Sequence, residues 1–187
     1  MKRASHIFVI LLVYVMPLSV FSQNSREAKQ NIELQVAGSA LLAVAGPPVK
    51  LILAGAVEAG GAIQQSVEND LTRLRISSQV NNGELRNITA KISEPLVGTT
   101  LQVELKDPNN NFVYPECKGT LTGSKQLTDV TDVTLAEGVG TCWSGTADGD
   151  GYVIKYQFKA IPNAPILKSA VITVTFTISS VTSDTNV

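Results

Sequence analysis

The sequence predicts an all-β protein built as an antiparallel β-sandwich of roughly eight to ten short strands. Three observations carry this. First, apolar and polar residues alternate in several separate runs, clearest where Ile172, Val174, Phe176 and Ile178 interleave with Thr173, Thr175 and Thr177. Successive side chains of a strand point to opposite faces, so such a run has one apolar face and one hydroxyl face. Second, Gly, Pro and Asn turn signals separate the runs at short intervals. Third, no stretch shows the apolar spacing of a three-turn amphipathic helix. One face in the core and one in water is the habit of antiparallel sheets.

The elements follow in order. Residues 1–22 read as a signal peptide. Lys2 and Arg3 form a positive start, residues 7–16 (IFVILLVYVM) an apolar stretch too short to span a bilayer, and Val20 and Ser22 suit a cut before Gln23. Residues 23–187 are then expected to form one domain, since about 165 residues bury a sizeable single core. Residues 23–31 are a polar lead-in. Ile32, Leu34 and Val36 alternate with Glu33 and Gln35 as a short amphipathic strand, and residues 38–44 continue apolar. Gly46-Pro47-Pro48 turns, residues 49–53 read as a strand, and the Gly- and Ala-rich residues 55–65 as an irregular crossing. Residues 67–71 suggest a short helical turn.

Strand signals then repeat. Leu74 and Ile76 alternate with Arg73 and Arg75, and Asn81-Asn82-Gly83 predicts a hairpin turn. Ile88, Ala90 and Ile92 share one face, as do Leu101, Val103 and Leu105. Residues 95–98 and 107–111 turn. Residues 112–114 and 118–122 suggest short strands around Cys117, and residues 126–139 one or two more. Residues 145–151 (GTADGDG) form a turn. Ile154, Tyr156 and Phe158 mark another strand, residues 161–167 a loop, residues 169–180 the cleanest strand, and residues 181–187 a polar tail.

Composition narrows the chemistry. The only histidine, His6, leaves with the leader, so Ser-His-Asp and Cys-His catalysis are excluded from the mature chain. No phosphate-cradling glycine motif is present. The formal charge is −1 for the whole chain and about −3 without Lys2 and Arg3, which gives no footprint for nucleic acid. No second segment is apolar and long enough to span a membrane. The chain is therefore expected to be non-enzymatic, without a cofactor, and secreted, periplasmic or on the cell surface.

Cys117 and Cys142 are the only cysteines, and an exported chain with one pair predicts one disulfide. Two cysteines without histidine do not complete a structural zinc site. Asp148-Gly149-Asp150-Gly151 has two readings, a calcium loop or a hairpin tip; the distant bidentate Glu of a helix–loop–helix calcium site is missing. Asp129 and Asp132 suit solvent-facing turns better than an acid–base pair, which needs a fixed separation across a cleft. Asn87-Ile88-Thr89 is a glycosylation sequon in form and the start of a strand in pattern. Trp143, with Tyr114, Tyr152 and Tyr156, either stacks on sugars if exposed or fills the core, Trp143 then covering the disulfide.

The leader ending in Ser-Gln, the early amphipathic strand, the late cysteine pair, the Gly-Tyr-Val-Ile-Lys-Tyr-Gln-Phe strand and the closing Ile-Thr-Val-Thr-Phe-Thr-Ile strand together resemble secreted bacterial, Bacteroidetes-type surface proteins of fimbrial-subunit-like or WxL-like type. The resemblance implies an immunoglobulin-like or pilin-like sandwich with a structural or adhesive role and carries no functional residues over. The chain departs from it in its late cysteines, in lacking the C-terminal pilin pattern, and in having neither Trp-x-Leu nor LPxTG. Physical chemistry supplies a route to such a role: residues 31–37 could add as a strand to an exposed edge of another copy or another surface protein. Pairing within its own sandwich, or a glycan-binding module, are the alternatives.

Overall fold

The computed structural model describes residues 30, 32–94, 96–107, 111–161 and 171–181. It is all-β. Ten strands form two antiparallel sheets: β1 Ser39–Ala45, β2 Ser66–Gln79, β3 Arg86–Ile92, β4 Thr99–Lys106, β5 Thr120–Leu121, β6 Lys125–Gln126, β7 Val133–Val139, β8 Cys142–Trp143, β9 Tyr152–Ala160 and β10 Val174–Ser180. One sheet runs β1-β2-β9-β4-β6, with β8 also pairing β2; the other runs β10-β3-β7-β5. Residues up to Gln35 form a unit separate from Val36–Val187. No helix among the described residues is long and apolar enough to cross a membrane. The signal peptide, most of the 161–167 loop and the tail from residue 182 lie outside the described residues.

The core is made by alternation. Leu74 and Ile76 of β2, Leu101, Val103 and Leu105 of β4, and Tyr152, Ile154 and Tyr156 of β9 point inward from the first sheet. Ile88, Ala90 and Ile92 of β3 meet them from the second. In β7 both Leu135 and Ala136 are fully buried, although neighbours in a strand normally face apart. A register shift against β3 at Ile88 explains it, because a bulge turns two consecutive residues to one side. The long ladders between β9 and its neighbours β2 and β4 join residues far apart in sequence, with Ser66 opposite Lys159 and Thr99 opposite Ala160.

Four expectations are corrected. Residues 67–71 are strand, not helical turn. Val67 and Leu71 have helical spacing only because a bulge places Asp70 and Leu71 between the paired Asn69 and Thr72, and the Asn69 side chain accepts the Leu71 N–H at 3.2 Å. Asn81–Gly83 does turn, with the Glu84 N–H bonded to the Asn81 carbonyl at 3.1 Å, but it closes no hairpin. β2 has β1 on one side and β9 and β8 on the other, so β3 is carried into the opposite sheet. Residues 49–53 keep Val49, Leu51 and Leu53 half-buried in alternation but join no ladder among the described residues. Residues 32–36 likewise belong to no strand.

Candidate functional site

Two features are of greatest interest, each taken by itself: the segment of residues 32–38 and the outer strands of the sandwich. Ile32, Leu34 and Val36 are 70, 88 and 81% exposed. Residues 32–38 have no ladder partner among the described residues, although their alternation is that of a strand. Three large apolar side chains at period two, left in water just before β1, are a strand pattern without its sheet.

The outer strands of the two sheets, β1 and β10, differ in kind. β1 buries by threes, with Ser39, Leu42 and Ala45 half-buried and Leu41 and Val44 exposed. β10 buries by twos: Val174, Phe176 and Ile178 are half-buried against the core, while Thr175, Thr177 and Ser179 face solvent. β10 pairs β3 on one side, and no described residue pairs its other side. Arg86 ties the two sheets where β10 ends and β1 begins. It lies opposite Ser180 in the β10–β3 ladder, and its guanidinium donates to the Ser39 carbonyl and, at 3.3 Å, to the Ser78 hydroxyl.

Trp143, Tyr114, Tyr152 and Tyr156 separate into two pairs. Tyr156 fills the core, as the core reading expected, and so does Tyr152, whose hydroxyl donates to the Lys118 carbonyl at 2.5 Å. Burial raises both phenols, Tyr156 to about 12. Trp143 and Tyr114 stay 42 and 50% exposed and meet edge to face, ring centres 5.4 Å apart. Tyr114 holds φ +59°, which a side chain with a Cβ adopts at a cost.

The expected disulfide is absent: Cys117 and Cys142 are both free thiols. The local geometry explains it. The Cys142 thiol faces the Cys117 carbonyl oxygen at 3.5 Å, not the Cys117 sulfur. The Cys117 side chain instead lies over Gly140, with its Sγ 3.6 Å from where a Cβ would stand. Trp143 therefore covers no disulfide. Burial pushes the Cys142 thiol up to about 11, with smaller contributions from Cys117 and Glu116.

The aspartates of the GTADGDG turn point apart. Asp148 is exposed and pairs with Arg75 at 3.2 Å. Asp150 turns inward and accepts hydrogen bonds from the Asn111 amide and the Ala147 N–H, both at 2.7 Å. These bonds hold its carboxyl below the usual range. Its oxygens are thus engaged in fixing the turn, but the turn is no hairpin tip: the strands it joins, β8 and β9, both pair β2 and not each other. Asp129 and Asp132 lie in the stretch between β6 and β7. Among the described residues, no three His, Cys, Asp or Glu side chains gather as a metal site. Asn87 opens β3 on the strand reading, and its side chain accepts the Gly138 N–H at 3.2 Å.

Of these features, the sequence reading missed the open edge of β10, because alternation does not show which strand lies outermost. Comparison with protein-family models, characterised proteins and solved structures returns no match.

Proposed function

We propose that the protein is an exported, non-enzymatic structural or adhesive component of the cell surface, fimbria-like, that assembles by strand addition. The observation that carries this reading is the exposed alternation of Ile32, Leu34 and Val36 in a segment without a ladder partner. The leader pattern at residues 1–22 and the missing mature histidine support export and a non-catalytic role. Energetics indicate what kind of partner is needed. Burying three such side chains gains roughly 5–9 kcal/mol. Association costs about 4–15 kcal/mol. Side-chain burial alone is therefore marginal, and the main-chain hydrogen bonds of a sheet edge, about 0.5–1.5 kcal/mol each, tip the balance.

The test is Leu34→Glu with Val36→Glu, followed by light scattering and negative-stain microscopy beside the wild-type chain. Both positions are exposed, so the melting temperature is expected to hold. Self-association is expected to weaken by roughly 100-fold or more, the equivalent of two lost apolar burials. A wild-type chain that stays monomeric at high concentration would sink the proposal.

A second reading, glycan binding, is favoured by the exposed Tyr114–Trp143 pair and the strained Tyr114 backbone. It predicts that a surface glycan protects Trp143 fluorescence from iodide quenching. Unchanged quenching across a glycan panel removes it.

A further inference from the structure

Resting on the strand-addition reading, we infer that the acceptor is the free edge of β10 in a second copy of this chain. Residues 32–38 add to it antiparallel, with Ile32 opposite Ile178, Leu34 opposite Phe176 and Val36 opposite Val174.

The direction of the β10 main chain can be read from its ladder. The Ser93 N–H bonds the Thr173 carbonyl at 2.9 Å, and the Val181 N–H bonds the Leu85 carbonyl at 2.9 Å. In an antiparallel pair, residues alternate between those that bond the partner and those whose N–H and C=O point away. Odd-numbered residues from Thr173 to Val181 thus face β3. Val174, Phe176, Ile178 and Ser180 turn their main-chain groups to the open side. Among the described residues those groups have no ladder partner, and they form the row that accepts a strand.

The same residues carry the half-covered apolar side chains. Opposite residues in an antiparallel ladder project to the same face. The register above therefore lays Ile32, Leu34 and Val36 over the half-covered core. It sets Glu33 and Gln35 beside Thr177 and Thr175 on the hydroxyl face. In this register residues 32–36 face residues 178–174 of β10. β1 offers no such match, because its period-three burial is out of step with a period-two donor. Both sheets are antiparallel throughout, so an antiparallel addition continues the existing pattern.

The experiment places the photo-crosslinking residue p-benzoylphenylalanine at position 34 of the full chain. Isotope-labelled and unlabelled copies are mixed, irradiated, and the joined peptides mapped by mass spectrometry. The expected result is a crosslink between copies, centred on Phe176. A crosslink between copies that lands on β1 or β6 overturns the acceptor assignment and leaves strand addition standing. A crosslink confined to one copy, or a monomer with none, overturns both. As a second probe, Val174→Pro removes an N–H that points away from β3, so the β3 ladder survives, as proline allows on an edge. Self-association is expected to fall at least about tenfold with the β-sheet circular dichroism retained. Unchanged association overturns the β10 assignment.

Discussion

Gly151→Ala is expected to destabilise the domain by roughly 4 kcal/mol or more and to lower its melting temperature by at least about 10 °C. Gly151 precedes β9 with φ +101°, a region open to glycine and costly for a residue with a Cβ. Space is the larger obstacle. A Cβ would overlap the Leu74 carbonyl oxygen, reach 2.8 Å from its carbon and stand 3.0 Å from the Arg75 nitrogen. These atoms are backbone of β2, Leu74 itself is fully buried, and Tyr152 is its ladder partner. Relief therefore requires moving β9 away from β2 through the middle of the larger sheet. Gly149→Ala is the control. It has φ +99° but nothing within 4 Å of its Cβ position, so only the conformational cost of about 1–2 kcal/mol applies. Chemical denaturation of the two variants separates the terms. Equal losses would show that the close approach to β2 is not the cause.

Alkali is expected to unfold the protein between about pH 9 and 12. Cys142, Tyr152 and Tyr156 are buried as neutral groups, and burial raises all three above their ordinary values of 9.0 for the thiol and 10.0 for the phenols. A raised acid keeps its proton in the folded chain while the unfolded chain loses it, so stability falls as pH rises. Below pH 9 the contribution is complete. The Cys142 share is lost between pH 9 and about 11, and the Tyr156 share between pH 10 and about 12. Tyr152 continues to act above that range. At pH 11 the three together amount to about 5 kcal/mol, a large part of the stability of an ordinary domain. Urea titrations at pH 8, 10 and 11 measure this directly. A flat profile would show that these groups are not protected. Cys142→Ala should move the onset up toward pH 10, because the earliest-titrating group is gone.

Alternation made β3, β4, β9 and β10 readable, since each puts its apolar residues on one face and its polar residues on the other. It failed at the bulge in β2, where one extra residue makes the spacing imitate a helix. It also failed at Asn82-Gly83, a turn dipeptide whose flanking strands belong to opposite sheets. Local sequence specifies the reversal but not which edge is already occupied. The cysteine pair was misread for a related reason. Cys142 and Cys117 do come near each other, but a short 3-10 turn from Pro115 to Cys117 presents a carbonyl where a sulfur was expected. The alternation of Ile32, Leu34 and Val36 was legible; that these residues belong to no strand was not. The acceptor row on β10 depends on hydrogen-bond parity and edge position, which no side chain encodes.

The ladder that joins Ser66 to Lys159 has a consequence for the newborn chain. β2 lies inside the larger sheet, between β1 and β9, yet its main partner is made about 90 residues later. At roughly 5–20 residues per second, the ribosome leaves β2 waiting about 5–18 s for β9. In that interval β1 is at hand on one flank, and the two residues of β8 precede β9 on the other. Such long-range pairing makes folding slow. On the export proposed above, such a delay would suit a chain that has to cross a membrane before it folds.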